Sequence, residues 1–218
     1  MKEDTGEDIP VTGTSTWNDP RCEELEASGG AGLPHRDADP IMRLGAHYFS
    51  PANFMWEQFS KLDRLSSVGR GLSRSKVMDR RYYLLSWLSG LYVVMEGIET
   101  LPLDRVLRTR PLDIPEIADR IPSLLSDFAE HRDSLRKLRN AQFHYQPTSD
   151  KHVQFFDRHD RLDWAIDIHR RTKRLFSDYR VGCAVVCAIS GRINEIDMKR
   201  RRHPSANFQF ILDGYGHQ

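Results

Sequence analysis

The chain has 218 residues, 39% of them hydrophobic and 29% charged, a balance that suits a globular chain with a core and excludes collagen-like, low-complexity and membrane-embedded classes. The net charge of +1 hides an asymmetry: residues 1–40 carry ten acidic against three basic side chains, a net of −7, and the remainder has a net of +8. A basic body with an acidic tail is compatible with a polyanionic partner.

Residues 1–40 are rich in Gly, Pro, Ser, Thr and acid without apolar periodicity. Such a stretch cannot bury enough surface to offset chain entropy and is expected to be a disordered acidic tail. From Ile41 the pattern turns helical, and Pro51 suits the first turn of a helix running through Phe54, Trp56, Phe59 and Leu62. Gly69-Arg70-Gly71 ends it, and Ser73 or Ser75 can cap the next helix. There Leu84, Leu88, Leu91, Met95 and Ile98 repeat at alternating four and three residues, with Tyr83, Trp87 and Val94 widening the face, which predicts a central core helix.

Pro102, Pro111 and Pro115 predict a loop with at most a short helix. Pro122 opens a further helix that places Leu124, Phe128, Leu135, Leu138 and Tyr145 near one face and stops before Pro147. Residues 153–156 are read as a short extended piece, 160–176 and 178–200 as two more helices, and Asn207–Leu212 as strand or coil. The sum is an all-α helical bundle of four to six helices with a disordered N-terminal tail. Its expected organisation is 1–40 tail, 41–200 helical domain and 201–218 basic junction and C-terminal tail.

Cys22, Cys183 and Cys187 make an odd number with no disulfide framework. The last two lie in the apolar run Val181–Ser190 and read as small buried helix residues. The N-terminus lacks a charged region followed by an apolar stretch, so no signal peptide is expected. The longest apolar stretch, Tyr82 to Met95, is interrupted by serines and too short for a bilayer. No membrane association, no cofactor, no metal and a reducing, cytoplasmic location are therefore expected.

Three lesser patterns take structural readings. Asp160, Asp163 and Asp167 share one helix face, but Arg158, Arg161, Arg170 and Arg171 lie among them, which predicts a salt-bridged solvated face. His152, His159 and His169 lack metal-site spacing and are expected at the surface. Lys199-Arg200-Arg201-Arg202-His203 complements a helix C-terminus or guides RNA.

The sharpest feature is Arg139-Asn140-Ala141-Gln142-Phe143-His144. A guanidinium grips a phosphate and an imidazole moves a proton, the minimal parts for cutting RNA without a metal. Arg-x4-His spacing alone is near chance in a chain this rich in arginine; the asparagine after the arginine and the helix end ahead of Pro147 narrow it. On a straight helix five residues put the two side chains about 140° apart. They converge only at a helix end or across a two-fold axis. The structural alternative has His144 serving the free carbonyls of the last turn and Arg139 pairing with a surface acid.

Arg139-Asn140-x-x-x-His144, late in an all-helical chain, resembles the signature of the HEPN superfamily. The upstream helix Arg81–Gly97 is similar to the core helix of HEPN-type proteins of bacterial defence and mobile elements. The resemblance spans roughly residues 41–200. It implies a helical homodimer acting as a metal-independent endoribonuclease in defence or toxin–antitoxin systems, with an antitoxin partner. It further implies that Arg139 and His144 are catalytic and that Asn140 supports them. Arg132, Arg136 and Lys137 lie just upstream and are expected to attract the RNA backbone. The family's modifiable tyrosine would stand where this chain has Gln146. The competing expectation is a non-catalytic helical binding or dimerisation module.

Overall fold

The computed structural model describes residues 32–68, 71–112, 114–144, 154–158 and 160–196. Every regular element among them is helical. The α-helices are α1 (Pro40–Leu44), α2 (Ser50–Ser67), α3 (Arg74–Thr100), α4 (Leu103–Arg108), α5 (Pro115–Ala118), α6 (Ile121–Ala129), α7 (Arg132–Phe143) and α8 (Asp160–Ile189). These eight among the described residues exceed the four to six expected; five of them run for nine residues or more. Among the described residues no helix is long and apolar enough to cross a membrane.

The spine is α3. Ser73 caps it by accepting from the Lys76 amide, and Trp87, Leu88, Leu91, Val94, Met95 and Ile98 are fully buried along it. Pro51 sits in the first turn of α2 as expected. A π-helical turn, Gly45–Phe49, joins α1 to α2. Two glycines of α3 let this neighbouring segment come close. A Cβ at Gly97 would lie 2.5 Å from Leu44 Cδ1, and one at Gly90 2.9 Å from the Ala52 Cβ. Glycine costs a helix about 1 kcal/mol relative to alanine, so close backbone approach is what it supplies here.

The helical elements and the folded boundary depart from the sequence reading at five places. Residues 32–40, placed in the tail by composition, belong to the folded body, and Pro40 opens α1. The Arg192 guanidinium donates to the Leu33 and Pro34 carbonyls at 2.6 and 2.9 Å, and the Arg36 amide donates to Glu195. The proline-rich segment forms two short helices, α4 and α5. The helix opened near Pro122 is two helices, α6 and α7, broken at Glu130–His131. At that break the Trp164 indole donates to the Asp127 carbonyl at 2.8 Å, the acceptor that a continuing helix would offer to His131.

Residues 154–156 are helical rather than extended. Finally, the two helices expected over 160–176 and 178–200 are one, α8, of 30 residues. Gly182 does not interrupt it, because its open side receives Ile114. The end comes at Gly191, with φ +71°. Its amide donates to Ala188, and the Arg192 amide reaches back to Cys187, the paired bonds of a Schellman stop.

Asp39 holds the start of the body. Its Oδ1 accepts from the amides of Ile41 and Met42, capping α1, and its Oδ2 accepts from the Tyr179 hydroxyl of α8 at 2.5 Å. Arg110 lies 3.9 Å away, with side-chain exposures of 5% for Arg110 and 1% for Asp39. Burial first, and the Asp39 carboxylate after it, push the Tyr179 phenol far up, so it stays a donor. Burial likewise pushes the Cys183 thiol up to about 12. Cys183 and Cys187 are the small buried helix residues expected, and a thiol so placed is a poor nucleophile.

His169, expected at the surface, is buried on α8 among Phe49, Trp56 and Trp87. The Trp87 indole donates to Nδ1 at 3.1 Å, which leaves the proton on Nε2, 3.3 Å from Asn53 Oδ1. Burial, helped by Lys173, lowers its pKa from 6.5 to about 4. The unfolded chain therefore protonates first as pH falls. Stability is full above pH 6.5 and drains away between about 6.5 and about 4. Urea melts across that window are expected to lose up to about 3 kcal/mol, with the slope reduced in His169→Gln. An equal acid limb in both proteins would contradict the assignment. His152 and His159 lie outside the described residues, as do Cys22, Lys199–His203 and Asn207–Leu212.

Candidate functional site

The Arg139–His144 stretch lies at the C-terminal end of α7. This helix runs antiparallel to α3, as two contacts seven residues apart on each helix show. Arg132 Nη2 meets Glu99 Oε2 at 2.8 Å, and the Arg139 guanidinium lies 5.7 Å from the centre of the Tyr92 ring. Arginine over an aromatic face is held by the ring's quadrupole and keeps its in-plane N–H groups free for other acceptors. Arg139 Nη1 donates to Asn140 Oδ1 at 2.9 Å, so the asparagine fixes its neighbour's fork.

The helix ends at Phe143, four residues before Pro147. His144 has left the helical conformation, with φ −117° and ψ 139°, and its amide donates to the Asn140 carbonyl at 3.0 Å. Thus Asn140 serves both partners: its side chain holds Arg139 and its carbonyl anchors the His144 backbone. His144 and Phe143 are exposed and Arg139 is half-buried. The His144 amide bond is the i→i−4 bond of the last turn, so the chain is helical up to His144 and its end does not by itself bring the imidazole onto the Arg139 face; within one copy the two side chains stay apart. Tyr145 and Gln146 lie outside the described residues.

The three upstream cations stand on the same helix but are each engaged. Arg132 pairs with Glu99, a half-buried carboxyl whose pKa burial raises against the pull of Arg132. Arg136 and Lys137 share Asp133 at 2.7 and 2.8 Å. The two Asp133 pairs are exposed, and such contacts contribute little and exchange readily. Tyr92 and Glu99 were not singled out from sequence. The available signal was their seven-residue spacing on the core helix, matching that of Arg132 and Arg139.

The aspartate-rich face of α8 carries the salt bridges expected of it. Asp160 pairs with Arg158, and Asp167 with Arg170 and Arg171. Arg161 instead donates to the Gln154 carbonyl at 2.7 Å. No family model, curated protein or solved structure matches the chain.

Proposed function

We propose that this protein is a HEPN-like, metal-independent endoribonuclease, acting as a homodimer in a defence or toxin–antitoxin role with RNA as substrate. The observation that carries the reading is the Arg139 guanidinium, stacked on Tyr92 and held by the Asn140 side chain, on the last turn of a helix that His144 ends; in this reading the arginine and the imidazole meet across a two-fold axis. In this reading the RNA 2′-hydroxyl attacks the adjacent phosphorus, forming the O2′–P bond and breaking P–O5′. The neutral imidazole of His144 takes the 2′-hydroxyl proton, and the imidazolium of the second copy's His144 returns one to the departing 5′-oxygen. The products are a 2′,3′-cyclic phosphate and a 5′-hydroxyl. Arg139 holds the phosphoryl oxygens as their charge grows, and Asn140 positions its fork.

Arg139 supports a second reading as well, because its stacking on Tyr92 and its bond to Asn140 are contacts that a purely structural arginine makes. On that reading the bundle is a non-catalytic binding or dimerisation module. Incubating wild type, Arg139→Ala and His144→Ala with single-stranded RNA in EDTA separates the two. Cleavage by wild type that is lost in both variants supports the nuclease. Equal cleavage by all three proteins, or none by any, supports the module.

A further inference from the structure

A second cluster of chemically active side chains sits at the opposite end of α7 from Arg139–His144. At the break between α6 and α7 the ring of His131 is 4% exposed, its edge against Trp164 with centroids 5.2 Å apart. The side chain makes no capping bond to α7. Its Nε2 points to a gap bounded by two carboxylates, 3.5 Å from Glu130 Oε1 and 3.7 Å from Asp160 Oδ2. One donor atom from each of the three residues lies within 4.8 Å of the other two.

Those distances are too long for charge-assisted hydrogen bonds, which run to about 2.7–2.9 Å. They are close to the spacing of two ligands on one tetrahedral ion. Zinc bonds of about 2.0–2.1 Å place neighbouring donors about 3.3 Å apart. An imidazole with two carboxylates suits zinc and its first-row neighbours. Arg158 also contacts Asp160, with Nη2 2.7 Å from Oδ2 and Nε 3.3 Å from Oδ1. It holds that carboxyl below its usual range. Because the guanidinium is more than half exposed, it can pivot onto Oδ1 alone and release Oδ2.

We propose that Glu130, His131 and Asp160 bind a divalent cation of the zinc type, with water completing a tetrahedral shell. The ion links the α6–α7 corner to the start of α8, so it closes the stretch of chain that carries Arg139 and His144. It lies a full helix away from that pair and takes no part in cleavage. Zinc binding should therefore raise the melting temperature, whereas EDTA leaves cleavage intact.

The test uses the full chain, stripped of metal by chelation and then titrated with Co²⁺ for its visible absorption and with Zn²⁺ by calorimetry. One saturable equivalent is expected, with a tetrahedral Co²⁺ band that Zn²⁺ displaces and a melting temperature that rises with Zn²⁺. Glu130→Gln and Asp160→Asn should each weaken binding by at least about tenfold and remove the thermal shift. Both side chains are exposed, so these variants carry the test even if the buried His131→Gln fails to fold. Absence of saturable binding by wild type overturns the proposal. So does equal binding by wild type and both carboxylate variants, which would mark the ion as held by other histidines.

Discussion

Arg139→Ala and His144→Ala are each expected to lower EDTA-resistant RNA cleavage by about a hundredfold to ten-thousandfold. A positioned proton-transfer group is worth about 10²–10⁴ in rate, and one charge-stabilising donor about 10²–10³. Neither change should unfold the protein. His144 is exposed beyond the helix end, and Arg139 loses a cation–π contact of about 1 kcal/mol and its bond to Asn140. Lysine at 139 keeps the charge but not the planar fork, so Arg139→Lys should recover little of the rate. Thermal melts beside initial rates check this. A variant that melts like wild type and cleaves at full rate would remove that residue from the mechanism.

Asp39→Ala is expected to cost about 3–5 kcal/mol, a large fraction of the roughly 5–15 kcal/mol that holds a domain together. One carboxylate caps α1, accepts the Tyr179 hydroxyl and faces Arg110 inside the protein. Its removal strands a buried guanidinium whose Nε already lacks a partner. Tyr179→Phe removes one neutral donor and should cost about 1–2 kcal/mol. Urea denaturation of the two variants tests the ranking, and a loss below about 1 kcal/mol for Asp39→Ala would show that the cluster is not a pin. The effect also locates the folded boundary, since a disordered residue 39 would tolerate alanine freely.

What the sequence made legible was local. Pro51, the Ser73 cap and the leucine stripe of α3 each act within a turn or two of chain, and each lies where periodicity placed it. What it concealed depends on partners distant in sequence. The α6–α7 break needs the indole of Trp164, 37 residues beyond the carbonyl that it takes. His169 is drawn inside by Trp87 and Asn53, 82 and 116 residues away. The continuity of α8 through Gly182 depends on Ile114. At the candidate site the hexapeptide and the need for a helix end or a two-fold axis were readable. The end itself arrived four residues before Pro147, and the Tyr92 face under Arg139 became visible only with the antiparallel register of α3 and α7.

The most direct measurement uses a DNA strand carrying a single ribonucleotide, incubated with the full chain in EDTA and analysed for the termini produced. The account predicts one cut, on the 3′ side of that ribonucleotide, leaving a 2′,3′-cyclic phosphate and a 5′-hydroxyl, lost in His144→Ala. Cleavage leaving a 3′-hydroxyl, cleavage undiminished in His144→Ala, or no cleavage of this strand or of single-stranded RNA would contradict it.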